Sequence, residues 1–242
     1  MKFTDGYWHM RPGVTPHWAA QVHDVEIEED GFTVYAPTKR LAGRGDTLNL
    51  PLLTIRFTSP MEDVIRVQMW HHVGGRPRAP EFELAPQPAP PASVREDRDA
   101  VALTSGRLTA RVGVGGDWRL DFLDGERPVT GSGWRSMAMM DTPEGRFMVA
   151  ELGLGVGECV YGLGERFTPF VKNGQVVDLW NEDGGTSSEL AYKNVPFYMT
   201  NRGYGVFVNH PERVSYEVGS EKVERVQFSV PGEYLEVVIT KR

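Results

Sequence analysis

The chain has 242 residues, 40% of them hydrophobic and 24% charged, a balance that excludes wholesale disorder. Its formal charge is −7, and its lysines and arginines are scattered rather than run together. That excludes nucleic acid and an anionic membrane as main partners. One cysteine, Cys159, excludes an internal disulfide framework.

The length suits one large all-β domain or two small ones. The opening residues Met1 to Met10 lack the apolar centre of a secretory signal. No stretch reaches the roughly 18 consecutive apolar residues of a membrane-spanning helix. A cytoplasmic location is expected. Cys159 lacks cationic neighbours in sequence, so a packed structural thiol is expected rather than a reactive one.

In chain order, Val22 to Ile27 alternates, turns at Glu29-Asp30-Gly31, and continues as Phe32 to Tyr35, the pattern of a hairpin. Leu52 to Phe57 and Val64 to Trp70 follow as strands, with Ile65, Val67 and Met69 on one face. Between Pro77 and Ser93 stand six prolines, which impose an extended course poor in hydrogen bonds. This stretch reads as an interdomain linker or, preferably, as an arm over a single sandwich, because the strands before it are too few to close a core.

Beyond Val101 the alternation sharpens. Leu108, Ala110, Val112 and Val114 share a face, Gly115-Gly116 turns the chain into Trp118 to Leu123, and Asp124-Gly125 turns it again. Val214, Tyr216 and Val218, then Val226, Phe228 and Val230, alternate with polar residues, and Tyr234 to Ile239 forms a last strand. Helical periodicity is absent. Many short strands with glycine turns predict an antiparallel all-β sandwich.

The stretch from Glu158 to His210 carries the chemistry. Trp180 and the run Tyr192 to Tyr198 flank an acidic loop, Glu182-Asp183, that ends in Gly184-Gly185. Aromatic faces stack on the C–H faces of sugars, and carboxylates accept from hydroxyls. The same pattern also fits a polar hairpin tip between core strands. Glu182 and Asp183 are adjacent, so in an extended segment their side chains point apart. They cannot straddle one glycosidic bond as the two carboxyl groups of a retaining glycosidase do, about 5 Å apart. His71 and His72 likewise fall on opposite faces of a continued strand. His9, His17 and His23 have no acidic or cysteine partners at ligand spacing, and His210 beside Pro211 reads as a structural strand end. No metal, no cofactor and no catalytic residue are expected within the chain.

Three runs resemble the amino-terminal domain of glycoside hydrolase family 31, and among its members the bacterial α-xylosidases. They are Val160-Tyr161-Gly162-Leu163-Gly164-Glu165-Arg166-Phe167-Thr168, Trp180-Asn181-Glu182-Asp183-Gly184-Gly185-Thr186, and the run from Tyr192 to Gly205. Val218 to Val223 and Met1 to Gly6 are similar to that subgroup too. The resemblance implies a β-super-sandwich of the galactose-mutarotase-like type, one domain over residues 1–242, with the proline-rich arm at about 77–93 on its surface. It also implies a (β/α)8 catalytic barrel after residue 242, holding the family's two catalytic aspartates in motifs of the Trp-x-Asp-Met-Asn-Glu kind, which do not occur here. Asp183 matches a family aspartate that reaches into the barrel mouth and hydrogen-bonds the sugar, with Gly184 and Gly185 letting the backbone approach.

The expected substrate-binding set is therefore Asp183, Gly184, Trp180 and Tyr192. For Trp180 and Tyr192 core packing is the favoured role beside walling the loop. Glu165 and Arg166 read as an ion pair bracing the domain interface or as a solvated strand end. The expected partners are an α-xyloside or α-glucoside oligosaccharide and the chain's own barrel, with no nucleic acid and no membrane. An apolar face prepared for the barrel further predicts a homo-oligomer when it is left uncovered. The alternatives are a free-standing carbohydrate-binding module and an aldose mutarotase-like epimerase. The latter needs an acid and a base across the ring oxygen and C1 hydroxyl, for which His210 with Glu158 or Glu165 is the only nomination.

Overall fold

The computed structural model describes residues 1–6, 8–72, 92–183 and 190–241. Most of the proline-rich stretch, and Gly184 with Gly185, lie outside the described residues. Strands carry almost all the regular structure, and a 3-10 turn at Arg44–Thr47 is the one helical element among the described residues. None of it is a helix long and apolar enough to cross a membrane.

Two large antiparallel sheets face each other. One has eight strands in the order Val160–Gly162, Phe197–Thr200, Tyr204–Val208, Tyr234–Lys241, Val64–Trp70, Leu52–Met61, Gly31–Pro37 and Asp24–Glu28. The other has six, in the order Gln175–Leu179, Val214–Val218, Arg225–Pro231, Gly145–Gly153, Met137–Thr142 and Thr15–Trp18. A five-stranded meander from Ala92–Asp97 to Arg127–Ser132 forms a third sheet. A small ribbon pairs Thr4–Asp5 with His9–Met10.

The core lies between the large sheets, where alternation sends every second side chain inward. Ile65, Val67 and Met69 are buried from one sheet, and Tyr216, Phe228 and Val230 from the other. Tyr198 and Tyr216 meet edge to face across the gap, ring centres 6.2 Å apart. The meander shares this core through Leu103, Leu108, Ala110 and Phe122. Ser59 Oγ and Ser105 Oγ, 2.7 Å apart, tie it to the eight-stranded sheet, and Thr130 Oγ1 donates to Gly153 O at 2.8 Å on the six-stranded side.

The hairpin predicted around Glu29-Asp30 forms, with Asp24 opposite Tyr35 and Glu28 opposite Gly31. The two strands after it pair with each other, and the first extends to Met61. Trp118 precedes its strand, which covers Leu120–Asp124. In the six-stranded sheet the predicted alternation holds for the apolar residues but misjudges the polar ones. Ser215, Glu217, Gln227 and Ser229 are buried as well. Their face is roofed by the amino-terminal segment: the Met1 ammonium donates to Ser215 Oγ and lies 3.2 Å from Glu217 Oε1, and Gln227 Nε2 donates to Met1 O at 3.2 Å. Phe3, fully buried, packs edge-on against Phe147.

That covered region also holds a desolvated charge cluster. The Glu151 carboxylate, with no exposed area, accepts from Lys222 Nζ at 2.8 Å and from Arg225 Nη1 at 2.7 Å. A buried carboxylate persists only when paired and hydrogen-bonded in this way.

Candidate functional site

The first strand of each large sheet's order, Gln175–Leu179 and Val160–Gly162, carries the functional stretch. After Leu179 the chain leaves the sheet as Trp180, Asn181, Glu182 and Asp183, and it returns to a parallel bridge between Asn181 and Ala191. Glu182 N donates to Ala191 O at 3.0 Å. The acidic tip therefore springs from a closed base.

One side chain gathers that base. Asn194 Nδ2 donates to Trp180 O, Asn181 Oδ1 and Ala191 O, each at 2.8 Å. Its Oδ1 accepts from Arg166 Nη2, which also donates to Asp178 O at 3.1 Å. Arg166 is brought there by the Gly162-Leu163-Gly164 turn, whose three residues all have positive φ, at 111°, 67° and 86°. A side chain at 164 would put its Cβ 2.1 Å from Lys193 O and 3.0 Å from the Asn194 Cα. Glycine is required there because backbone meets backbone. Leu163 itself is fully buried, so its packing offsets the strain of a left-handed non-glycine residue.

Asp183 is exposed at the tip, and so is Glu182, which lies 3.7 Å from Arg213 Nη2. Trp180 is 48% exposed and Tyr192 64% exposed. The expectation that both pack in the core is overturned: each sits where the chain turns away from an edge, and the interior is filled instead by Leu179 and Ala191. Glu165 and Arg166 do not form the expected pair with each other. Glu165 binds Lys193 at 3.1 Å, while Arg166 is drawn to the carbonyls and to Asn194. Asp178 accepts from Ser215 and faces the Met1 ammonium at 3.8 Å.

Around the tip the surface is unusually apolar. Phe167, Phe170, Val176, Val195 and Met199 are all exposed, at 44% or more. With Trp180 they add exposed apolar surface to the segments before and after the tip, a feature of contact surfaces when such residues cluster.

His210 is buried just beyond Tyr204–Val208, as a strand-end residue should be. Glu158 is buried beside Tyr204, at the other end of that strand, which is roughly 15 Å long. Glu165 is exposed and ion-paired. The nominated acid–base pairing of a mutarotase is not assembled. Cys159 is half-buried. Among the described residues no three histidine, cysteine, aspartate or glutamate side chains come together as a metal site.

Asn194 and Arg166, which organise the tip, were not singled out as site residues by sequence reasoning. The available signal was the glycine pair flanking Leu163, which marks a turn that a following arginine must leave at a set angle.

Known proteins supply the context for this geometry. Residues 54–217 match the model of the glycosyl hydrolase 31 N-terminal galactose mutarotase-like domain. The chain is 41% identical to an α-xylosidase of Emericella nidulans and 42% identical to the α-xylosidase XylQ of Lactiplantibacillus pentosus, over 99% of its own length in both cases. It spans only 33% and 31% of those relatives. Its fold is similar to the cycloalternan-forming enzyme of Listeria monocytogenes, solved with a pentasaccharide substrate: TM-score 0.75, 16% identity, over 94% of this chain and 21% of that one. A family 31 α-xylosidase from a soil metagenome, solved with xylose, aligns with a TM-score of 0.64 at 16% identity, over 91% of this chain and 32% of that one.

Proposed function

The chain belongs to the N-terminal galactose mutarotase-like domain family of glycoside hydrolase 31, and from that premise we propose that it is the non-catalytic sandwich of a retaining α-glycosidase. Its parent hydrolyses terminal α-xylosidic bonds of oligosaccharides, or α-glucosidic bonds in a related specificity. Asp183 accepts from hydroxyls of the sugar in the cleaved subsite, and Trp180 and Tyr192 flank it. The nucleophile and general acid come from a catalytic barrel elsewhere in the parent.

The observation that carries this reading is the acidic tip itself: an exposed carboxylate on a base braced by hydrogen bonds, flanked in sequence by the exposed aromatics Trp180 and Tyr192. Nearby, Glu182 lies 3.7 Å from Arg213, Glu165 pairs with Lys193 and Asp178 accepts from Ser215. That the chain spans 33% and 31% of its α-xylosidase relatives supports placing the nucleophile and general acid in other polypeptide. The exposed apolar residues beside the tip are the surface on which the barrel packs.

The test is Asp183→Asn in the intact enzyme that carries this domain. Loss of one charge-assisted hydrogen bond to the sugar, worth about 1.5–3 kcal/mol, lowers kcat/KM for an aryl α-xyloside by about 10-fold to 150-fold. Unchanged kcat/KM would remove Asp183 from the pocket.

A further inference from the structure

Asp183 is exposed, so the stems of its loop, rather than core packing, set where its carboxylate points. One side chain holds both stems. Asn194 Nδ2 donates to Trp180 O and Asn181 Oδ1 on the outgoing stem and to Ala191 O on the returning one, each at 2.8 Å. The Asn181–Ala191 bridge and the bond from Glu182 N to Ala191 O tie the stems to each other. Asn194 ties them to the sandwich.

The frame it brings comes from the other sheet. The loop grows from Gln175–Leu179 of the six-stranded sheet, whereas Asn194 leads into Phe197–Thr200 of the eight-stranded one. On either side of Asn194 the backbone is pinned to the turn at Gly162 to Gly164. Glu165 N donates to Lys193 O and Leu163 N to Phe197 O, both at 2.9 Å, and Gly164 lets the two segments pass in contact. Both ends of the amide are used as well. Arg166 Nη2 donates to Asn194 Oδ1 and also to Asp178 O at 3.1 Å, which leaves Nδ2 facing the three oxygens of the stems. Alanine at 194 would leave the stems tied only to each other. Aspartate would keep the size and the bond from Arg166 but turn an acceptor toward three acceptors.

We propose that Asn194, oriented by Arg166, is a positioning residue for the parent's reaction: it sets the direction from which the Asp183 carboxylate meets the sugar hydroxyls. It acts only through Asp183, so the inference rests on the role proposed for that residue. A misplacement of about 1 Å can cost about a hundredfold in rate, and groups that support a binding residue from behind are what prevent it.

Steady-state kinetics of the intact enzyme that carries this domain, with an aryl α-xyloside, test it on Asn194→Ala, Asn194→Asp, Asp183→Ala and the double variant of each Asn194 change with Asp183→Ala. Both Asn194 variants are expected to lower kcat/KM at least about threefold, with the loss divided between KM and kcat as in Asp183→Ala. Each double variant should stay within about threefold of Asp183→Ala, because once the carboxylate is gone Asn194 has nothing left to position. A merely structural role would instead reduce the amount of competent enzyme, and its loss would multiply with that of Asp183→Ala. Multiplied losses overturn the proposal, and so does a smaller effect than threefold in either Asn194 variant or failure of both to fold. In each of these cases a loss in Asp183→Ala leaves the role of Asp183 standing. If Asp183→Ala is itself silent, both readings fall together.

Discussion

The six-stranded sheet contains two environments that divide the work of the domain. Its inner strands Val214–Val218 and Arg225–Pro231 are covered on both faces, by the facing sheet and by the amino-terminal segment. Even Ser215, Glu217 and Gln227 are buried there, and the fully buried Glu151 carboxylate binds buried Lys222 and partly exposed Arg225. The edge strand Gln175–Leu179 and the tip beyond it are the opposite case: Val176, Trp180 and Tyr192 are exposed, and hydrogen bonds to backbone and Asn194 replace packing. Burial dominates the first region, and the proposed function assigns recognition to the second. A rigid scaffold with an adaptable edge is the usual division between element and loop.

The sharpest contrast is energetic. Glu151→Leu removes the carboxylate that pairs the buried Lys222 ammonium and should cost about 3–5 kcal/mol of unfolding free energy, read as a lower urea midpoint. An unchanged midpoint would mean that the cluster is not desolvated. Asn194→Ala should cost less, about 0.5–1.5 kcal/mol for hydrogen bonds lost at a partly exposed site. Its signature is local: faster amide hydrogen exchange at Glu182, with protection in Val226 to Val230 retained. Equal acceleration in both places would erase the distinction between the regions.

A third test uses acid. For Asp141 and Glu233 burial raises the pKa, but bonds from His17 and Arg146 to the first, and from His71 and Arg146 to the second, outweigh it and leave both below the usual carboxylate value. A depressed folded pKa stabilises above the unfolded value of about 4 and is lost as the pH falls through the folded one. Arg146→Met removes a lowering partner from each carboxylate, so the acid-unfolding midpoint should move to higher pH. A midpoint that stays put or falls would deny the cluster that role. The smallest effect is at the tip: Asp183→Asn should change stability by less than about 0.5 kcal/mol, and a larger loss would make Asp183 a structural residue.

How far these regions could be read from sequence follows the same division. Period-two alternation named the inward residues Ile65, Val67, Met69, Tyr216 and Phe228, and all of them are buried. The polar residues between them read as solvent-facing, because nothing local in Ser215 or Glu217 announces that Met1, more than two hundred residues away, will cover them. The tip was legible as an acidic loop between aromatics. Its brace was not, since Asn194 reaches Trp180 and Asn181 through space, and an amide side chain carries no sign of which carbonyls it will meet. Trp180 and Tyr192 were misjudged for a related reason: an aromatic near a strand end has the same sequence signature whether it turns inward or out.

The division of labour makes one direct demand, that the exposed carboxylate binds sugar while the bond-breaking groups lie in other polypeptide. Purified chain should therefore release 4-nitrophenol from 4-nitrophenyl α-D-xyloside no faster than buffer does. Release above buffer that disappears in Asp183→Asn would contradict the account, because it would make the tip itself a catalyst.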